Sequence, residues 1–452
     1  MSDDSGSRSI GYWGAVAIGV GGMVGGGIFA VLGLAVQLAH GGTPEAFVLA
    51  GVVALLTTYS YVRLSLTLPS QGGTVTFLNH AFGTGLTTGA LNVLLWLSYV
   101  VMLSLYAFAF GSYAAALIPG GGAFEKHLAI SAVIVLATGL NSIGSKLLGE
   151  AETSIVAVKV AILLFFVAVG LFGVDPSRLA PAAWSGPTQL FAGGMIIFLA
   201  YEGFELIANT AGDLGDPQRT LPRAYYSAVL FVIVLYVLVA GVSVGNLPVP
   251  QIVNAKDYAL AEAARPFLGQ AGFTLIAIAA LLSTASAINA TLYGAARLSY
   301  VIAKDGELPA VLEHRIWSKP LEGLFLTAAV TLLVANLFDL SSISTMGSAG
   351  FLLIFGAVNA ANLRLAGQTD SNRWVPALGL LACAVALAAL LWHTWTTSPA
   401  RIFVLAAMVV LSVAIEGAYR TITGREIRVR HRRAHATDPG PANPGESGPG
   451  KA

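Results

Sequence analysis

Apolar runs of roughly 20 residues recur along almost the whole chain, and a run of that length with few charges is what a helix needs to cross a bilayer core about 30 Å thick. About twelve such runs can be delimited on this basis. They lie near residues 11–36, 44–68, 86–118, 127–145, 151–173, 188–211, 224–246, 270–301, 322–338, 342–364, 374–392 and 401–419. The chain is 56% hydrophobic and 10% charged, with a mean hydropathy of +0.76, which excludes a soluble globular domain. Long runs rich in Gly, Ala and Ser predict helices, because a membrane barrel shows short segments of alternating hydrophobicity instead. The fold class expected is therefore an all-α integral membrane protein.

The net charge of +1 points to neither nucleic acid nor a strongly anionic partner. Its placement is informative. If the N-terminus is cytoplasmic, Arg63, Lys146, Arg219, Arg223, Arg297, Lys304, Arg315, Lys319, Arg364 and Arg373 all fall on cytoplasmic loops or helix ends. Only Lys126, Arg178, Lys256, Arg265 and Arg401 remain outside, so the excess of basic residues inside places both termini in the cytoplasm of a multi-pass cell-membrane protein. The first apolar run lacks a small-residue cleavage site and is expected to stay as a helix. Cys383 is the only cysteine, so an intrachain disulfide is impossible. Three regions follow: a polar N-terminal segment (1–9), a transmembrane domain (10–420), and a cytoplasmic tail (421–452) that is first basic and then rich in Pro, Gly and Ser, expected to be disordered.

Two apolar runs are interrupted. The stretch "AIGVGGMVGGGIFAVLG" (17–33) places Gly25, Gly26 and Gly27 together near mid-membrane, although each interior glycine costs up to about 1 kcal/mol of helix stability. Close packing of small residues is one explanation. An unwound turn is the favoured one, with glycine reaching positive φ and freed N–H groups at a half-helix N-terminus taking a carboxylate. The stretch "FLAYEGFELIANTAGDLGDP" (198–217) carries Glu202, Gly203 and Glu205 inside its run. These two runs open two halves of a ten-helix core that enter the membrane from opposite sides, the sequence pointer to an inverted-repeat transporter. The runs after residue 370 add two further helices.

The segments "GGMVGGGIF", "FLAYEGFELIANTAGDLGDPQRTLPRA" and "ARLSYVIAKDGELP" resemble the first helix, the sixth helix with its following loop, and the end of the eighth helix of the amino acid, polyamine and organocation (APC) transporter family. The resemblance spans nearly the whole chain. It implies the five-plus-five inverted repeat of LeuT-like transporters, with discontinuous first and sixth helices. It also implies that amides around Val24, Gly25, Gly26 and Gly27 hold a substrate carboxylate and that carbonyls of Phe198, Leu199 and Tyr201 take its ammonium group. Ser98, Tyr99 and Met102 would wall the side-chain pocket. Glu202 departs from the family, where the position is often apolar or small, and so bears on substrate choice.

Lys159 lies about eight residues into its helix, roughly 12 Å into the bilayer at 1.5 Å per residue. An ammonium at that depth costs several kcal/mol unless paired or neutralised. It resembles the fifth-helix lysine that stands in proton-coupled family members where sodium-coupled relatives bind sodium, with a structural brace as the alternative. Glu205 matches an acid the family often carries and is expected in gating or proton relay, or in a hydrogen bond that closes the broken helix. Glu202 and Glu205 share a face if the turn between them is intact, and a break at Gly203 is expected to separate them. Glu202 in the pocket would favour a cationic group. With Lys159 and Glu205, Ser283 and Ser286 of the eighth run complete the expected proton-coupling set. Asn92, Asn289, Asn336 and Asn359 read as interhelical hydrogen bonds, and Trp392, His393 and Trp395 as interfacial anchors.

No metal-ligand spacing, catalytic set or phosphate-binding loop is present in the sequence, so no cofactor and no enzymatic activity are expected. The reading is a secondary transporter of amino acids or related amines, coupled to protons and working by alternating access. Potassium uptake and a non-transporting membrane sensor or scaffold remain alternatives at this point.

Overall fold

The computed structural model describes residues 10–70, 72–143, 146–304 and 321–423, with side chains outside 146–153, 297–304 and 422–423. The N-terminal segment, the tail beyond 423 and the last five residues (305–309) of the "ARLSYVIAKDGELP" motif lie outside the described residues. Among those described, nine helices are long and apolar enough to cross a membrane, and two bent pairs raise the number to eleven. The apolar helix Leu321–Leu337 follows in the order expected of another of the twelve apolar runs, but at 17 residues it is shorter than these.

The first bent pair is α1 (Tyr12–Met23) and α2 (Gly27–Ala39), which meet at 45°. The chain returns through α3 (Thr43–Thr67), runs along a short helix α4 (Gly73–Phe82), and crosses again in α5 (Leu86–Leu117), α6 (Ala123–Ile143) and α7 (Lys146–Gly170). The second bent pair is α8 (Pro187–Ile196) followed by 3-10 turns at Phe198–Tyr201 and Phe204–Thr210, bent by 46°. Then come α9 (Pro217–Asn246), the short α10 (Val249–Ala255), α11 (Ala259–Lys304, kinked at Gly269 with φ 63°), α12 (Leu321–Leu337), α13 (Leu340–Arg364), α14 (Trp374–Thr397) and α15 (Pro399–Thr423).

The inverted repeat is visible in which helices pack. The first broken span lies against α9, the second helix of the second half, and the second broken span lies against α3, the second helix of the first half. α5 passes through the middle of the bundle and packs on α11, α12 and α13. Its apolar faces are covered on nearly all sides, whereas α6, α7, α14 and α15 leave wide apolar faces such as Leu136, Phe165, Leu381 and Val410 exposed. In a bilayer those faces meet lipid, because hydrocarbon is the one solvent in which they cost nothing to expose. Trp392 and Trp395 are exposed near the end of α14, as anchors would be.

Candidate site at the crossing of the two broken spans

The chain is unwound at Val24, Gly25 and Gly26, the place marked by the glycine run. The cause differs from the one expected. None of these glycines adopts positive φ, and Gly26 has φ −132°. What demands glycine here is close approach. A Cβ on Gly25 would lie 2.9 Å from Ala287 Cβ, one on Gly26 would fall on the Tyr106 ring, and one on Gly27 would lie 2.8 Å from Ala200 Cα. The left-handed residue is in the other broken span. Gly203 has φ 117°, and it sits directly on Gly22, where a Cβ on Gly22 would be 2.9 Å from Gly203 Cα. The two broken spans therefore cross backbone on backbone.

Unwinding frees carbonyls, which at this depth need partners. The helical donor for Gly21 C=O would be the Gly25 N–H, but that N–H turns to Gly22 C=O at 3.1 Å. The Lys159 ammonium donates to Gly21 C=O instead, at 3.0 Å, with the side chain 1% exposed. Ser283 of α11 donates to Val24 C=O at 2.7 Å and closely approaches Gly25 C=O. Tyr236 of α9 donates to Met23 C=O at 2.6 Å and also reaches Ala200 C=O at 3.3 Å, tying both breaks together. On the second span, Ser344 and Ser348 of α13 each donate to Ile196 C=O at 2.7 Å, and Ser348 Oγ accepts from Leu199 N–H at 3.2 Å. Replacing Tyr236 with Phe strips a partner from both breaks. We expect a loss of about 1–3 kcal/mol, read as a lower thermal unfolding midpoint of the solubilised protein; an unchanged midpoint would show that the hydroxyl is dispensable.

A cavity of about 390 Å³ opens beside the crossing, toward the bundle end that carries Tyr12. Tyr99, Tyr106, Glu202, Glu205, Ser286 and Asp213 supply much of its polar lining, together with Gly21 and Gly22. Among the described residues its charged lining is entirely carboxylate. Gly203 does not separate Glu202 from Glu205, contrary to expectation. Its left-handed turn folds the chain back so that Glu205 Oε2 accepts from Gly203 N–H at 2.8 Å, and the two buried carboxyl groups lie side by side. Tyr99 donates to Glu205 Oε1 at 3.2 Å and Tyr106 to Glu202 Oε2 at 3.4 Å. Both glutamates are 3% exposed.

The other expected residues are placed less directly. Gly25, Gly26 and Gly27 do not reach the cavity, because the Tyr106 ring stands over Gly26. Phe198, Leu199 and Tyr201 are buried beside the break; Leu199 C=O accepts from Glu202 N–H at 3.1 Å, and the Tyr201 hydroxyl donates away from the site to Phe47 C=O at 2.9 Å. Ser98 donates to Leu94 C=O within its own helix and faces Gly350 of α13, while Met102 is fully buried on α5. Tyr106 and Tyr236 were missed by sequence reasoning. Each is an aromatic in an apolar run, and only its position against a distant break gives the hydroxyl a purpose.

Two broken spans crossing at glycine, a lysine ammonium on a freed carbonyl and a carboxyl pair beside a polar cavity agree with what sequence comparison finds, since the family model described as amino acid permease matches residues 10–418. The chain belongs to the amino acid permease family. The permease is 37% identical over 424 residues to an uncharacterized protein of Methanocaldococcus jannaschii, covering 93% of this chain and 97% of that one. It is 31% identical to the inner membrane transport protein YbaT of Escherichia coli, over 91% of this chain and 96% of the relative. It is 25% identical to the branched-chain amino acid permease BcaP of Bacillus subtilis, over 86% and 89% of the two chains. Among solved structures, the Eremococcus coleocola manganese transporter superposes with a TM-score of 0.58 at 14% identity, covering 91% of this chain and 94% of the other, a likeness of fold alone. The permease is thus a multi-pass membrane transporter with the five-plus-five architecture.

Proposed function

We propose that this permease is a proton-coupled secondary transporter of the cell membrane that carries amino acids or related amines by alternating access. The orientation rests on Arg63, Arg219, Arg223, Arg364, Arg373 and Arg420, which stand at the bundle end shared with Tyr12 and so favour that end, and both termini, as cytoplasmic. The cavity then faces inward.

The observation that carries the proposal is the Glu202 and Glu205 pair. Two carboxyl groups buried side by side cannot both carry charge cheaply, so the pair suits a shared proton whose occupancy an arriving ammonium group can change. Glu202 faces the cavity and would take that ammonium, with Tyr99 and Ser286 beside it. The carboxylate of an amino acid would reach the amides at Gly25, Gly26 and Gly27 once Tyr106 turns away, since α2 starts there without a side-chain cap. Carbonyls of Phe198, Leu199 and Tyr201, and a side-chain pocket near Ser98 and Met102, would complete the site after that movement. Lys159 holds the negative end of the half-helix α1, where a coupling cation belongs, and Ser283 would report its state to α11.

Uptake into liposomes of labelled amino acids, amines and potassium, at set proton and sodium gradients, tests this directly. We expect accumulation to follow an inward proton gradient and to ignore sodium. Glu202→Gln should weaken cationic substrates by about 10- to 150-fold, the worth of one charge-assisted hydrogen bond of about 1.5–3 kcal/mol, and spare neutral ones. An unchanged ranking of substrates would remove Glu202 from the binding site.

A further inference from the structure

A second cavity, also of about 390 Å³, lies at the opposite end of the same two broken spans. Its apolar floor is Leu34 of α2, Leu38 one turn further on, and Ile196, the last residue of α8. Its charge is the reverse of the inner cavity's. Among the described residues the lining holds His40, Lys256, His393 and Arg401 and no carboxylate, with the Ser341 and Ser398 side chains around them. The nearby Asp339 is committed elsewhere: it caps α13 through Ser342 N–H at 2.9 Å and pairs with Arg401 at 3.2 Å. His393, expected as an interfacial anchor, lines this polar space instead.

The backbone supports the assignment independently of charge. Three non-glycine residues have left-handed φ among the described residues, and two of them, His40 at 51° and Lys256 at 27°, line this cavity. Such conformations are unfavourable for a residue with a side chain and persist where the surroundings impose them. For Lys256 the imposing contact is visible, because its carbonyl rests on Gly33 of α2 where a Cβ has no room. The strained residue is locked onto the first broken span and lines the cavity. A cavity of this size suits a small ligand, and a lysine and an arginine in a lining without carboxylates suit an anion.

We infer that this outer cavity is a second binding site, for a small carboxylate, stacked over the inner acidic one. The binding assignment stands on this geometry alone. Its role as the place where an amino acid waits before the outer halves part rests on the transport reading above, and the following test does not involve transport.

The probe is trifluoroacetate, followed by fluorine NMR on the full-length purified protein. Its resonance should broaden on addition of protein, and acetate or glycine should reverse the broadening. Lys256→Gln should weaken binding by about tenfold or more, the worth of a charge-assisted contact, and His393→Leu by about two- to tenfold, the worth of one neutral hydrogen bond; Arg401 is left intact because it also braces Asp339 and Ser341. Elution as a single native-size species establishes that each variant folds. Asp213→Asn removes an acid from the inner cavity and should leave the trifluoroacetate broadening as in the native protein. Absence of broadening overturns the site. Broadening that persists when the Lys256 and His393 substitutions are combined and grows in Asp213→Asn moves the anion to the inner cavity and also overturns it. Displacement by phosphate or chloride as effective as by acetate overturns the carboxylate assignment in favour of an inorganic anion.

Discussion

Gly203→Ala is expected to abolish uptake and to lower the unfolding midpoint more than any other single methyl addition at the site. Gly203 holds φ 117° and ψ −22°, a conformation that costs an alanine about 1–3 kcal/mol. The added Cβ would also lie 2.6 Å from Met23 N and 2.8 Å from Gly22 Cα, both backbone atoms. α1 cannot retreat from that contact, because Lys159 and Tyr236 hold its last turn. Overpacking adds about 1–3 kcal/mol more. Gly26→Ala provides the contrast, since its Cβ meets the Tyr106 ring, a side chain that can turn aside. Thermal melts of the solubilised variants, with uptake measured alongside, check both. A Gly203→Ala protein with native melting and native uptake would remove the backbone crossing as a constraint on the transport cycle.

Lys159→Gln is expected to separate bracing from coupling. Glutamine keeps an N–H donor for Gly21 C=O, so the end of α1 retains a partner and the fold should melt close to the native protein. It carries no exchangeable charge. Accumulation driven by the proton gradient should fall to the level of passive equilibration, a loss of at least about tenfold if the ammonium accounts for one charge-assisted contact of the cycle. Lys159→Ala should lose the same accumulation and melt lower, because a buried carbonyl then has one partner fewer. If Lys159→Gln still concentrates substrate in response to a proton gradient, the lysine is a brace and the Glu202 and Glu205 pair carries the coupling alone.

The place of both breaks was legible because glycine and glutamate are costly in an apolar helix, and sequence alone exposes such costs. The reason for the first break was not. A run of three glycines reads the same whether it serves positive φ or close approach, and only the neighbours Tyr106, Ala287 and Ala200, distant in sequence, decide for approach. The carboxyl pair shows the same limit. Spacing of three residues gives Glu202 and Glu205 a common face on a regular helix and divides them at a break, yet one left-handed residue brings them together.

Helix number, the lipid-facing surfaces, the two broken spans and the buried lysine follow from the order of apolar and polar residues, because the bilayer penalises each unpaired polar group where it stands. Which carbonyl receives which donor does not follow. Lys159 on Gly21, Tyr236 across both breaks, and Tyr106 between Gly26 and Glu202 join positions up to 213 residues apart. The same is true of the opposite charge of the two cavities, since Lys256 and Arg401 are ordinary loop and helix-end cations until α10 and α15 bring them over one space. Sequence fixes the cost of each group in the membrane; only packing assigns the partner that offsets it.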